Sequence, residues 1–253
     1  MCLLALHYRT LPEAPVLAAA NREEYFDRPS LPPQRVRPQA GSSQQALCGL
    51  DARAGGTWLG VNAFGLLVAV TNRDKSRLPP APRSRGKLCL ELLACRTAAE
   101  AAQLALEELA TNRYAGANYA CLDARDGVVI HGGDRLEELV LEPGLHLLAN
   151  RDLNDPSDSR LQLARELFQQ APIGSIAEFL PAAKRVCGHY VSGGRLGNPQ
   201  QPSIVLRASD RGTVSSSLIA LAEDRKQGVY EYAPGPPDTA DYDDYSELLR
   251  GLR

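Results

Sequence analysis

The sequence predicts an α+β fold in which two mainly antiparallel sheets lie between helices. Three observations carry the prediction: short apolar runs bounded by turn residues dominate the first third, amphipathic helical patterns come in consecutive pairs, and strand-like runs return after each pair. Runs of each element type, rather than strict alternation, point to layered α+β architecture.

The first strands are expected at residues 2–8 (CLLALHY), 15–21 (PVLAAAN), 57–62 (TWLGVN) and 66–72 (LLVAVTN), several of them apolar on both faces. Helices are expected over 86–95 and 98–111, the second behind Thr97 with Glu100 three residues on, a capping-box arrangement. Strands follow at 118–123, 127–133, 136–142 and 144–150, with Asp126-Gly127 and Pro143-Gly144 as hairpin turns. Apolar positions at 161, 163, 164, 167 and 168 behind Ser157 predict an amphipathic helix over 157–170, and another is expected over 175–187. Strands at 203–209 (SIVLRAS), 215–222 and 228–233 and a short helix near 244–252 complete the reading.

The 253 residues are 44% apolar and 23% charged with a formal net charge of -2, enough chain for a full core and no electrostatic footprint for a polyanion. No linker or charge block divides the chain, so one domain over 1–253 is expected, with no nucleic-acid partner. The basic group at Arg73, Lys75, Arg77, Arg83, Arg85 and Lys87 reads as a solvated loop. None of the six cysteines has C-x-x-C spacing, so no structural metal is expected. The opening apolar run ends at His7 without a basic n-region or cleavage pattern, and no run approaches the roughly 20 apolar residues of a membrane span. Cytoplasm is the expected compartment.

The chain begins Met1-Cys2. If Met1 is removed, Cys2 carries both a thiol and a free α-amine, whose reference pKa of about 7.7 to 8.0 lets it act as general base for its own side chain. The second strand runs into Asn21-Arg22-Glu23-Glu24-Tyr25-Phe26-Asp27-Arg28-Pro29, which would hold charged groups near Cys2 if the first two strands pair. The bland alternative is an exposed polar hairpin end. Trp58 likewise reads as a core anchor, with Gly55 and Gly56 permitting a tight turn, and Asn62 and Asn118 as residues that close hairpins.

The second-position Cys, the Asn21-Arg22-Glu23-Glu24 motif, Gly49-Leu50-Asp51, Gly55 to Asn62, Gly65 to Asn72, Ser84-Arg85-Gly86, Asn118 and Gly144 to Asn150 together resemble the NRDE family, also called the transport-and-Golgi-organisation protein 2 family. The family's third motif position is Asp, here the longer Glu23. The resemblance implies an N-terminal-nucleophile (Ntn) hydrolase-like, four-layer αββα fold and invites comparison with the choloylglycine and penicillin V acylases. By that comparison Cys2 would be the nucleophile, Arg22 its guanidinium neighbour, Glu23 or Glu24 the acidic partner, Asn72 the oxyanion-hole amide and Asn150 a second active-site amide. Asn21, Arg28, Trp58, Asn62, Arg85 and Asn118 are further candidate ligand contacts.

One departure stands out. Family members usually carry Tyr-Gly-Thr-Arg before a Ser/Thr-rich strand, whereas this chain reads Arg211-Gly212-Thr213-Val214, with Arg211 or Arg207 as conceivable substitutes. The resemblance also implies a second class of function: carriage of haem or an acyl-CoA-like ligand, an apolar body with a charged head that Arg22, Arg28 and Arg85 could pair. Hydrolysis needs no cofactor. Haem as cargo would draw on His7, His131, His146, His189 or a Cys2 thiolate, although a lone strand histidine is more often structural.

Overall fold

The computed structural model describes residues 2–39, 43–192 and 202–253; the side chain of Cys2 lies outside what it describes, as does Met1. In chain order the elements are β1 (Cys2–Leu11), β2 (Ala14–Tyr25), β3 (Ser30–Val36), β4 (Ala46–Asp51), β5 (Leu59–Asn62), β6 (Leu67–Asn72), α1 (Arg85–Leu92), α2 (Ala98–Ala110), β7 (Ala117–Leu122), β8 (Gly127–Gly132), β9 (Leu136–Val140), β10 (Gly144–Leu148), α3 (Ser159–Gln169), α4 (Ile176–Cys187), β11 (Arg211–Leu221), β12 (Val229–Ala233), β13 (Asp243–Asp244) and α5 (Ser246–Arg250). No helix among the described residues is long and apolar enough to cross a membrane.

The chain forms two compact units. The first comprises the residues up to Asp27 with Pro143–Ser246, and the second Arg28–Glu142 with Glu247–Arg253. The first holds an antiparallel six-stranded sheet in the order β10-β1-β2-β11-β12-β13. Strand alternation sends Leu3, Ala5, Leu17, Ala19, Leu147 and Leu218 to one face, where they pack with Leu161, Ala164 and Phe168 of α3 and Phe179, Ala183 and Val186 of α4. Asp158 caps α3 through the backbone N–H groups of Arg160 and Leu161, one residue later than the sequence suggests, and Ser175 caps α4.

The second unit holds an antiparallel seven-stranded sheet in the order β3-β4-β5-β6-β7-β8-β9. Its core joins Leu88, Cys89 and Leu92 of α1 and the alanine face of α2 to Ala46, Cys48, Val68, Tyr119, Cys121 and Ile130. Thr97 caps α2 through Glu100 N–H, while the Glu100 carboxylate accepts from Arg96 N–H. In the GGTWLG stretch, Gly55 has a φ of +69° and a Cβ on Gly56 would collide with the backbone of Gly86, so these two positions require glycine.

Three expectations fail, and two strands went unread. The run 203–209 is no strand but a connection buried from Ser203 to Leu206 and exposed at Ala208 and Ser209: Ile204 and Val205 N–H donate to the His189 carbonyl, and Arg207 makes a single bridge to Gly212. Strand β11 starts instead at Arg211. Pro143-Gly144 does not turn a hairpin, because β9 pairs β8 while β10 pairs β1 of the other sheet. Strands β3 and β4 lacked a sequence signal; β3 carries Pro32 and Pro33, which an edge strand with a register shift tolerates.

Candidate functional site

The antiparallel ladder of the first unit sets Cys2 opposite Arg22 and Arg22 opposite Ser215. Three strands thus contribute one row. Arg22 is 5% exposed, and its guanidinium stands 3.8 Å from Glu24, two residues on and so on the same face. Strand β10 adjoins β1 with Leu148 opposite Leu4. Asn150 lies two residues past the end of β10, and its Oδ1 is buried with no hydrogen-bond partner among the described residues. One strand beyond Ser215, buried Tyr232 has Ser215 and Arg22 near its hydroxyl; burial pushes its phenol up and those neighbours pull it back.

The period of two divides the NREE motif. Asn21 and Glu23 point to the helix side, away from Arg22. Asn21 Nδ2 donates to the Cys187 carbonyl at 2.9 Å, tying β2 to the end of α4. Glu23 accepts from Arg160 of α3 at 2.6 and 3.3 Å, Thr213 Oγ1 donates to it at 3.4 Å, and Arg160 Nη2 also donates to the Ile204 carbonyl at 2.7 Å. Burial pushes the Glu23 carboxyl up, against the opposing pull of Arg160. Of the two acidic partners expected for Arg22, Glu24 therefore occupies its side of the sheet and Glu23 does not. Asn21 and Glu23 lock helices onto the sheet rather than line the row.

Val214 is the bulged residue of β11. Thr213 pairs with Glu23 and Ser215 with Arg22, so Val214 is the extra residue in the ladder. Neither conceivable substitute arginine stands in the row: Arg207 is held by Asp238 at 2.8 and 2.9 Å and stacks on Tyr190, and exposed Arg211 lies over Tyr25.

The other candidates belong to the second unit. Asn72 is exposed at the end of β6, opposite Ala117. Arg28 donates to Asp51 Oδ2 through Nε at 3.0 Å and Nη2 at 2.5 Å. Burial pushes the Asp51 carboxyl up, but Arg28 and the Arg53 and Ala54 N–H groups outweigh it and hold the carboxyl below its usual range. Asn62 closes the β5–β6 hairpin, accepting from Phe64 and Leu66 N–H and donating to the Leu93 and Cys95 carbonyls. Half-buried Trp58 covers Gly49, where a Cβ would strike its ring. Arg85 Nη1 donates to the Gly116 carbonyl at 2.9 Å. Asn118, with no exposed surface, donates to Thr71 and accepts from Arg73, and its Oδ1 lies 2.7 Å from His131 Nδ1. Asn62 fits its structural reading, and Arg28 and Arg85 already pair with protein groups. The basic segment is engaged likewise, with Arg83 on Glu91 and Glu108 and Lys75 on Asn112 and the Tyr114 carbonyl.

His7 is wedged edge-on against Phe168 and Phe179, at centroid distances of 4.9 and 5.7 Å, and burial with His146 nearby pushes it down to about 4. His131 is buried against Asn118, and His146 Nδ1 lies 3.2 Å from Asn154 Nδ2. The partly exposed His189 has a buried Nδ1 without a partner among the described residues. Among the described residues no cluster of three or more His, Cys, Asp or Glu could hold a metal ion.

Sequence reasoning missed Arg160, Thr213, Ser215 and Tyr232. Arg160 was within reach: it stands four residues before buried Ala164 and eight before buried Phe168, on the apolar stripe of α3.

A family model described as Transport and Golgi organisation 2 matches residues 1–178. The mouse (Mus musculus) homolog of that name is 32% identical over 185 residues, 68% of this chain and 64% of its own length, and the cattle (Bos taurus) and human (Homo sapiens) homologs are 33% and 30% identical with the same coverage. The chain therefore spans just under two thirds of the length of these relatives. Among solved structures, penicillin V acylase from Agrobacterium tumefaciens aligns with a TM-score of 0.54 at 15% identity, covering 98% of this chain and 88% of its own. A variant of conjugated bile acid hydrolase from Clostridium perfringens aligns at 0.59 and 13%, covering 100% and 95%. The Caenorhabditis elegans ortholog of N-acylethanolamine-hydrolyzing acid amidase aligns at 0.57 and 13%, covering 99% and 98%. At these identities the likeness establishes the fold, that of the Ntn hydrolases.

Proposed function

Because the chain belongs to the Transport and Golgi organisation 2 family and has the Ntn-hydrolase fold, we propose that it is a cysteine amide or acyl hydrolase with Cys2 as its N-terminal nucleophile. The observation that carries the reading is the ladder register that sets Cys2 opposite the buried guanidinium-bearing residue Arg22. A cation beside a thiol favours the thiolate. Glu24, 3.8 Å from that guanidinium, orients it.

In the proposed reaction the Cys2 sulfur attacks the carbonyl carbon of an amide while its proton passes to the α-amine freed by loss of Met1. Collapse of the tetrahedral intermediate breaks the C–N bond, and the same proton leaves on the amine product. Water then attacks the acyl thioester, releasing a carboxylic acid and restoring the thiol. The side-chain amide of Asn150 and the hydroxyl of Tyr232 are the proposed partners for the oxyanion, a role commonly worth a few kcal/mol of barrier. With Val214 at the bulge, no arginine from β11 joins them.

Non-enzymatic carriage of an apolar ligand with a charged head, haem or an acyl-CoA-like molecule included, is the second reading, and the transport in the family's description favours it. A panel of N-acyl amides and acyl thioesters assayed against wild type and Cys2→Ala separates the two. Hydrolysis predicts turnover that falls by at least about 10³-fold in the variant. Carriage predicts ligand retention by both proteins with no turnover by either.

A further inference from the structure

The second unit contains a cavity of about 580 Å³ lined by Arg35, Gln45, Arg250, Gly251, Leu252 and Arg253. None of these residues takes part in the proposed hydrolase row. Three of the six carry a guanidinium. Arg35, on edge strand β3, donates from Nε to the Leu248 carbonyl at 3.2 Å and from Nη2 to the Glu247 carbonyl at 3.4 Å. Carbonyls at the end of α5 thus fix its guanidinium without neutralising it. The group lies so close over Gly251 that a Cβ there would strike its Nη2, so glycine at 251 is a condition of the arginine's position. Gln45 N–H donates to the Arg253 carbonyl at 3.0 Å, pinning the last residues beside β4, while Gln45 Oε1 is buried with no partner among the described residues.

Guanidinium forks favour oxyanions, and a tetrahedral phosphate offers three acceptor oxygens to three forks where a carboxylate offers two in a plane. The buried Gln45 acceptor asks for a hydroxyl donor next to the anion. We propose that this cavity binds a small phosphate monoester bearing a hydroxyl, held by Arg35, Arg250 and Arg253 with Gln45 receiving the hydroxyl.

Calorimetric titration of the full chain with glycerol 3-phosphate, inorganic phosphate, succinate and chloride tests this. Wild type is expected to bind glycerol 3-phosphate with a dissociation constant below about 1 mM, tighter than inorganic phosphate, with succinate and chloride weaker still. Loss of two charge-assisted contacts in Arg250→Ala/Arg253→Ala is expected to weaken it at least about tenfold. Gly251→Ala, which displaces Arg35 and leaves all three charges in place, is expected to weaken it with an unchanged melting temperature. Absence of binding by wild type, equal affinity for succinate, or undiminished binding in the double variant overturns the proposal.

Discussion

Replacing Arg160 by leucine is expected to destabilise the chain by about 3–5 kcal/mol, the range for removing one partner of a buried ion pair. The side chain of Glu23 is 4% exposed and that of Arg160 12%, and their closest approach is 2.6 Å. Leucine would leave the carboxylate among Thr213 and the apolar residues of α3 and α4. Burial already pushes the Glu23 carboxyl up, and loss of the opposing cation pushes it further. A carboxyl whose folded pKa lies above its unfolded one binds more protons when folded, so stability falls as pH rises between the two values. The Arg160→Leu variant is therefore expected to lose more stability at pH 7 than at pH 5. Glu23→Gln added to it is expected to recover a large part of the loss and to flatten the pH dependence. Urea unfolding of the four proteins of the cycle at both pH values checks this.

Acidification is expected to remove about 3 kcal/mol of stability through His7 alone. Folded His7 is pushed from 6.5 to about 4, chiefly by burial and secondarily by His146, and each pKa unit corresponds to about 1.4 kcal/mol. The unfolded chain takes up a proton near pH 6.5 that the folded chain refuses until about pH 4, so stability falls with pH across that window and levels off below it. His7→Phe keeps an aromatic ring against Phe168 and Phe179 and removes the titration. Its unfolding free energy is expected to decline less than that of wild type between pH 7 and pH 4, by about the same 3 kcal/mol. Parallel curves for the two proteins would show that burial of His7 has no such effect.

The fold was legible where local chemistry and tertiary demand coincide. Thr97 announces α2 by its cap, and Asp126-Gly127 marks the end of the β7–β8 turn, whose residues 123–126 close as the Arg125 and Asp126 N–H groups donate to Asp123 Oδ1. It was illegible where the same local signal serves two outcomes. Pro143-Gly144 looks like a hairpin turn, yet it passes the chain from one sheet to the other, a choice made by long-range pairing. SIVLRAS has the composition of a strand, but its N–H groups are satisfied by the His189 carbonyl and Thr213 Oγ1, so it needs no ladder.

The candidate site divides in the same way. Pairing of β1 with β2 followed from two apolar runs close in sequence, and it sets Cys2 against Arg22 as the motif implies. The split of Arg22 and Glu23 onto opposite faces is written in the period of a strand, while the motif invites reading its residues as one cluster. The bulge at Val214 could not be read from β11 alone, because a bulge is a property of two strands in register.

Intact-protein mass spectrometry after a brief iodoacetamide pulse at pH 7 tests the nucleophile most directly. Burial pushes the thiols of Cys48 and Cys187 up to about 12 and that of Cys95 to about 11, and those of Cys89 and Cys121 well above the ordinary thiol range, so these five are expected to stay unmodified. The predicted result is a chain lacking Met1 with a single adduct that peptide mapping places on Cys2. A chain that keeps Met1, or a Cys2 that reacts no faster than Cys95, would contradict it.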